Sequence, residues 1–175
     1  MAIYEFEKRK PTIKKGSFIY DSADIIGDVI IGNNCYIGPG ARIRGDYGSI
    51  RIGDNTAIEE NVVIHARPDD CTVIGNNVTI GHGAIVHNAT IKDFAVIGMG
   101  SIVSDWAVIG EWAVVAEGAV IKNKQKIPDR NIAVGVPAKI ISEITLEYEK
   151  LWTEYKNIYS DIARKRIPDS LKRLD

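Results

Sequence analysis

The chain contains three histidines, and all lie in the stretch VVIHARPDDCTVIGNNVTIGHGAIVHNATI: His65, His82 and His87. Neutral imidazole nitrogens are good ligands for zinc. Three of them with an open fourth position for water make the catalytic form of a zinc site, whereas a closed set of four protein ligands makes the structural form. Cys35 and Cys71 show no CxxC or other ligand spacing, and they read as reduced thiols of a cytoplasmic protein. Whether three imidazoles so spaced can meet depends on the backbone that carries them.

That backbone reads as a repeat. Ile or Val stands at 25, 31, 37 and 43, then at 52, 58 and 64, then at 74, 80 and 86, and every sixth residue from 91 to 127. Gly often follows, as in Ile31-Gly32, Ile74-Gly75 and Ile109-Gly110, and a small or β-branched residue tends to stand four places on, such as Cys35, Ala41, Thr56 or Ala84. A period of six fits no helix face. It suits short strands that each point one aliphatic side chain inward, joined by tight turns at Gly, Asn and Asp. The fold class is mainly β: a parallel β-helix whose inward residues stack into a dry column. The period slips to nine residues after Ile43, ten after Ile64 and five after Val86, and in a solenoid such irregularities map to surface loops, often near a site. The β-helix is assigned to residues 1–140. Residues 141–175 form a C-terminal helix and tail, with the helix from about Ser142 to Arg166, capped by Ser142 or Thr145. Its apolar stripe runs through Ile144, Tyr148, Leu151, Trp152, Tyr155, Ile158, Tyr159 and Ile162, Lys156 falls on the polar side, and RIPDSLKRLD forms a loosely held tail.

Composition narrows the function classes. Net charge is −1, with 22 basic and 23 acidic residues, which gives no field to draw nucleic acid or an anionic membrane. No apolar run suggests a membrane span, and the start MAIYEFEKRKP lacks the apolar core of a signal peptide.

The pattern [Ile/Val]-Gly-x-x-[small]-x resembles the hexapeptide-repeat proteins, which implies three hexapeptides per coil. Numbering them in threes places Ile43, Ile64 and Val86 on one face of successive coils. His65 and His87 each follow that face's inward residue, so both point outward and are stacked one coil apart, at about 4.8 Å of backbone spacing. Arg44 takes the same place one coil earlier. His82 falls two residues after Ile80 on the preceding face, stacked over Glu60 and aimed away from the pair. Convergence of all three therefore requires His82 of another copy. The phase of the repeat predicts a homotrimer with metal sites at its subunit interfaces.

The resemblance to the hexapeptide-repeat proteins also implies a left-handed triangular β-helix. His65 with His82-x4-His87, together with Arg44-Gly45-Asp46 upstream, resembles the gamma-class carbonic anhydrases and their ferripyochelin-binding-protein and carnitine-operon relatives over nearly the whole chain. The resemblance implies reversible hydration of CO2 to bicarbonate by metal-bound hydroxide, with Zn2+, or Fe2+ or Co2+, held by His65, His82 and His87. It implies that Arg44 pairs with Glu60 across the interface, that Asp46 helps hold that interface, and that Tyr159 of the helix, more than Tyr155, lies near the metal. Three positions depart from the family pattern. Glu59 replaces a neutral amide, Glu60 replaces Asp, and Tyr47 stands where a glutamate follows Asp46. Asp69 and Asp70 are the proton shuttles that remain. These departures weigh against fast turnover, and Glu59 with the missing shuttle favours one alternative, a catalytically weak metal-binding trimer. The other alternative is a hexapeptide acyltransferase or thioesterase, against which the three histidines count, because acyltransferases of this fold generally use one catalytic histidine and no metal.

Overall fold

The computed structural model describes residues 2–174 and forms a β-solenoid of about seven turns with a helix at its C-terminal end. All seventeen positions of the six-residue series are 3 % exposed or less. The small residues four places on are buried with them, including Cys35, Ala41, Thr56, Ala84, Ala95 and Ser101. The buried hydroxyls are satisfied: Thr56 donates to Gly75 O at 2.8 Å and Ser101 to Gly98 O at 2.8 Å.

Three faces follow from the parallel pairing. The first stacks Phe18–Ile19, Tyr36–Ile37, Ala57–Ile58, Thr79–Ile80, Val96–Ile97, Val114–Val115 and Asn131–Val134. The second stacks Val63–His65, Ile85–His87, Ile102–Val103 and Val120–Ile121 beyond the first half of Arg42–Ile52. The third stacks Cys71–Ile74, Thr90–Ile91, Val108–Ile109 and Lys126–Ile127 beyond the second half of that strand. Corners are turned by residues of positive φ, among them Asn34, Asn55, Asn77 and Asn88, a conformation Asn tolerates better than most side chains. Side chains also tie coil to coil: the backbone N–H groups of Asn33, Asp54 and Asn76 donate to the side-chain oxygens of Asp54, Asn76 and Asp93 at 2.7, 2.8 and 2.8 Å. Gly53 is required by this stacking, because a Cβ there would lie 2.6 Å from the Gly75 backbone.

The slips in the repeat gather at one corner, as the sequence indicates. Gly45 pairs with Gly27 and the next pair is Ile50 with Val29, so Asp46–Ser49 bulge out of the ladder. One coil later the segment 66–70 leaves the same corner, and Ser49 rejoins the ladder opposite Cys71.

The C-terminal region differs from its sequence assignment in three ways. The helix α1 runs Leu146–Asp161, capped by Thr145, whose hydroxyl accepts from Tyr148 N at 3.1 Å; Ser142 belongs instead to a strand, Lys139–Glu143, paired antiparallel with Asn131–Val134. The chain stays helical past Arg166, through a wide turn Ile162–Arg166 and a short helix α2, Ile167–Ser170. Ile167 drives this, since it is buried with Tyr36, Ala57 and Ala163 and so anchors the start of the expected tail. Asp175, the last residue of that tail, lies outside the described residues. Third, Lys156 faces inward at 4 % exposure, whereas Leu151, Tyr155 and Ile158 are 48 %, 47 % and 43 % exposed. The inward stripe is Tyr148, Trp152, Lys156, Tyr159 and Ala163, at spacings of three and four residues, and it lies along the first face. No helix among the described residues is long and apolar enough to cross a membrane.

Candidate functional site

The second face brings His65 and His87 together, directly opposite each other in register, with Arg44 opposite His65 in the preceding coil. His65 Nδ1 lies 3.2 Å from His87 Nε2. Each ring's other nitrogen meets a buried carboxylate: His65 Nε2 is 2.9 Å from Asp46 Oδ1, and His87 Nδ1 is 2.6 Å from Asp105 Oδ1. Each carboxylate is held in turn by a guanidinium, Arg44 on Asp46 at 2.8 Å and Arg67 on Asp105 at 2.7 Å. The result is a chain of six groups: Arg44, Asp46, His65, His87, Asp105, Arg67. Burial opposes the charge on Asp46, but the His65 hydrogen bond and the Arg44 charge outweigh it and hold the carboxyl below its usual range. The Arg67 hydrogen bond does the same for Asp105, against a smaller opposing effect of burial.

His82 stands apart from this pair in its own chain, as the phase of the repeat requires. Its Nε2 lies 3.0 Å from Glu59 Oε2, and its Nδ1 meets Glu60 Oε2. Its backbone N–H also donates to Glu59 at 3.2 Å. Each carboxylate has a tyrosine partner. Tyr36 donates to Glu60 at 2.7 Å, and Tyr159 hydrogen-bonds Glu59, with the two phenol rings 5.2 Å apart. Burial opposes the charge on Glu60, but the Tyr36 hydrogen bond, a backbone hydrogen bond and His82 together lower its pKa. Burial and then the Glu59 hydrogen bond push the Tyr159 phenol up. His82 and Glu59 open onto a cavity of about 310 Å3 between α1 and the first face, lined also by Val96, Ile97, Met99, Trp152, Tyr155 and Tyr159.

Within one chain the site residues find these partners. Arg44 pairs with Asp46, two residues away on the same strand, while the expected Arg44–Glu60 pair belongs to an interface between copies. Asp46 backs His65. Glu60 is engaged by Tyr36 and His82. Tyr159 reaches the Glu59–His82 cluster, whereas Tyr155 packs edge-on against Trp152, with ring centroids 5.8 Å apart. Asp70, one of the two shuttle candidates, accepts from Asn88, from the Cys71 N–H and from the Trp106 indole. Asp105 and Arg67 escaped the sequence reading. Their signal is positional, a carboxylate one coil after His87 and a guanidinium two residues after His65.

The spacing of the histidine pair fits a shared cation. Two nitrogens bound to zinc at about 2.0–2.1 Å in tetrahedral geometry lie about 3.3 Å apart. If each histidine donates its N–H to its own carboxylate, the facing nitrogens both present lone pairs, and their 3.2 Å separation suits one shared cation. Among the described residues of a single chain, no three His, Cys, Asp or Glu groups form a ligand set. The pair therefore supplies two ligands and no more.

Known proteins place the chain. The profile described as bacterial transferase hexapeptide (six repeats) matches residues 10–45 and 88–123. The chain is 37 % identical over 162 residues to the carnitine operon protein CaiE of Escherichia coli strain SMS-3-5, covering 90 % of this chain and 83 % of that protein. It belongs to the hexapeptide-repeat transferase family. Among solved structures, a Bacillus cereus protein assigned by name to the acetyltransferases, the product of the BC4754 gene, superposes with a TM-score of 0.93 at 35 % identity, covering 97 % of this chain and 98 % of that one. A hexapeptide transferase family protein of Anaplasma phagocytophilum gives a TM-score of 0.89 at 35 % identity, over 93 % and 96 % of the two chains. These family names favour the acyltransferase alternative over carbonic anhydrase, to which none of these relatives is assigned.

Proposed function

We propose that this hexapeptide-repeat protein is an acyl-group enzyme that moves an acyl chain from a thioester to an acceptor, with His82 as general base. The observation that carries this reading is the setting of His82, held by carboxylates at the edge of a pocket with an apolar and aromatic lining. Glu60 on Nδ1 orients the imidazole and stabilises it once charged, the part a carboxylate plays beside a catalytic histidine. The acceptor's X–H takes the place of Glu59 at Nε2, and the Nε2 proton passes to Glu59 as it does so, leaving that nitrogen free to act as base. As X bonds to the carbonyl carbon its proton passes to Nε2, and the thiolate leaves and takes that proton. Val96, Ile97 and Met99 receive the acyl chain, and water as the acceptor makes the same reaction a thioester hydrolysis.

The His65–His87 pair favours a second reading. Here the pair holds a divalent metal ion together with His82 of a neighbouring copy in a trimer, and CO2 is the substrate. The metal, zinc or else ferrous or cobaltous ion, would supply Lewis-acid activation of water. Arg44 and Asp46 would fix His65, and Glu59 would stand beside the reacting water as a proton acceptor.

One pair of assays separates the readings. Thiol release from acetyl-CoA and longer acyl-CoAs is measured with hydroxyl, amine and water acceptors, with and without a chelator. CO2 hydration is measured in parallel with zinc and cobalt. The acyl reading expects thiol release that ignores the chelator and falls by about 10²-fold or more in His82→Ala. Chelator-sensitive CO2 hydration with no thiol release overturns it in favour of the metal reading.

A further inference from the structure

We propose that Asp105, steadied by Arg67, is the positioning residue that turns the His65–His87 pair into a preformed two-nitrogen clamp for a divalent cation, an inference that rests on the metal reading above. The geometry is direct. Asp105 is 6 % exposed and splits its oxygens, Oδ1 to His87 Nδ1 at 2.6 Å and Oδ2 to Arg67 at 2.7 Å. A carboxylate only accepts, so His87 must carry its proton on Nδ1, and its Nε2 lone pair is then aimed at His65. Asp46 does the same for His65 from the opposite end, with Arg44 as its counter-charge. The two halves differ in origin. Arg44 sits in the ladder position preceding His65 and Asp46 opens the bulge two residues on, whereas Asp105 sits one coil after His87 in the turn between Val103 and Val108. The histidine pair is thus gripped from both ends of the stack, and neither ring can flip without breaking a buried charge-assisted bond.

Arg67 has its own bracing. Its guanidinium lies 5.4 Å from the centre of the Trp106 ring, and the Trp106 indole donates to Asp70 at 3.0 Å. Its backbone N–H donates to Asn88 Oδ1 at 3.0 Å, and Asn88 in turn donates to Asp70 at 2.8 Å. The loop 66–70, created by the ten-residue slip in the repeat, therefore serves to carry Arg67 over Asp105. This gives the irregularity a purpose beyond closing a corner.

The test uses the whole protein and Asp105→Asn. In that variant Arg67 claims the amide oxygen and the amide NH2 turns to His87, which must move its proton to Nε2 and lose the aimed lone pair. Zinc and cobalt affinities are measured by chelator competition, the imidazole tautomers by long-range 15N NMR without metal, and melting temperatures as a fold control. The expected result is a 10–100-fold weaker affinity for both ions, a His87 switch from Nδ1–H to Nε2–H, and an unchanged His65 tautomer. Arg67→Met gives a smaller loss in the same direction. Equal affinity for wild type and Asp105→Asn, or the same His87 tautomer in both, overturns the proposal. Wild-type protein that takes up neither ion overturns the clamp together with the metal reading, whereas metal bound equally well by the variant removes the clamp's positioning role alone.

Discussion

Lys156 gives the most quantitative test of the architecture. Its ammonium is buried beneath α1, donating to Thr79 Oγ1 and to Ala95 O, each at 3.2 Å, and lying 5.5 Å from the centre of the Trp152 ring. Burial lowers its pKa from the usual 10.5 to about 7, against the opposing charge of Glu59. The folded amine therefore loses its proton more readily than the unfolded one. Between about pH 7 and pH 10.5 the unfolded chain binds the extra proton, so the stability contributed at this site rises with pH across that window. Integrating the two titrations from about pH 7.5 to about pH 9.5 gives a gain of roughly 2–3 kcal/mol. Lys156→Met keeps the stem and removes the titration. Urea unfolding of wild type and variant at those two pH values measures the effect, and other titrating groups cancel in the difference. The wild type should gain about 2–3 kcal/mol on the variant as pH rises. Parallel stability curves would refute the claim that this amine is buried and forced towards its neutral form.

Three further outcomes follow from the packing. Gly53→Ala places a Cβ 2.6 Å from the backbone of the next coil, so it should lower the melting temperature markedly, whereas Gly83→Ala, with open space around it, bears only the strain of its positive φ. Ile97→Ala deletes atoms from the fully buried column and should cost about 2–5 kcal/mol in denaturant unfolding. Burial raises the Cys35 thiol to about 11, so a thiol reagent near pH 8 should label the partly exposed Cys71 well before Cys35 in native protein, and both together in denaturant.

The sequence by itself determined the solenoid and the phase of its side chains. An aliphatic every sixth residue is buried by short strands stacked in coils, so counting from Ile25 in the threes that the family resemblance implies already places His65 beside His87 and His82 near Glu60. The three slips in the count likewise locate the irregular corner beside the histidines. The sequence did not determine the inward face of α1, because Leu151, Tyr155 and Ile158 are as apolar as the residues that pack. Only the shape of the first face selects Trp152, Lys156 and Tyr159. Lys156 is turned inward because Thr79 Oγ1 and Ala95 O wait there as acceptors. Nor did it determine the partners of the charged groups. Arg44 was expected to meet Glu60 of another copy, and within the chain its position on the Arg42–Ile52 strand pairs it with Asp46. Asp105 and Arg67, 38 residues apart in sequence, become neighbours only when one coil lies on another. Periodicity fixes the direction in which a side chain leaves the coil, and the stacking of coils decides which group it meets.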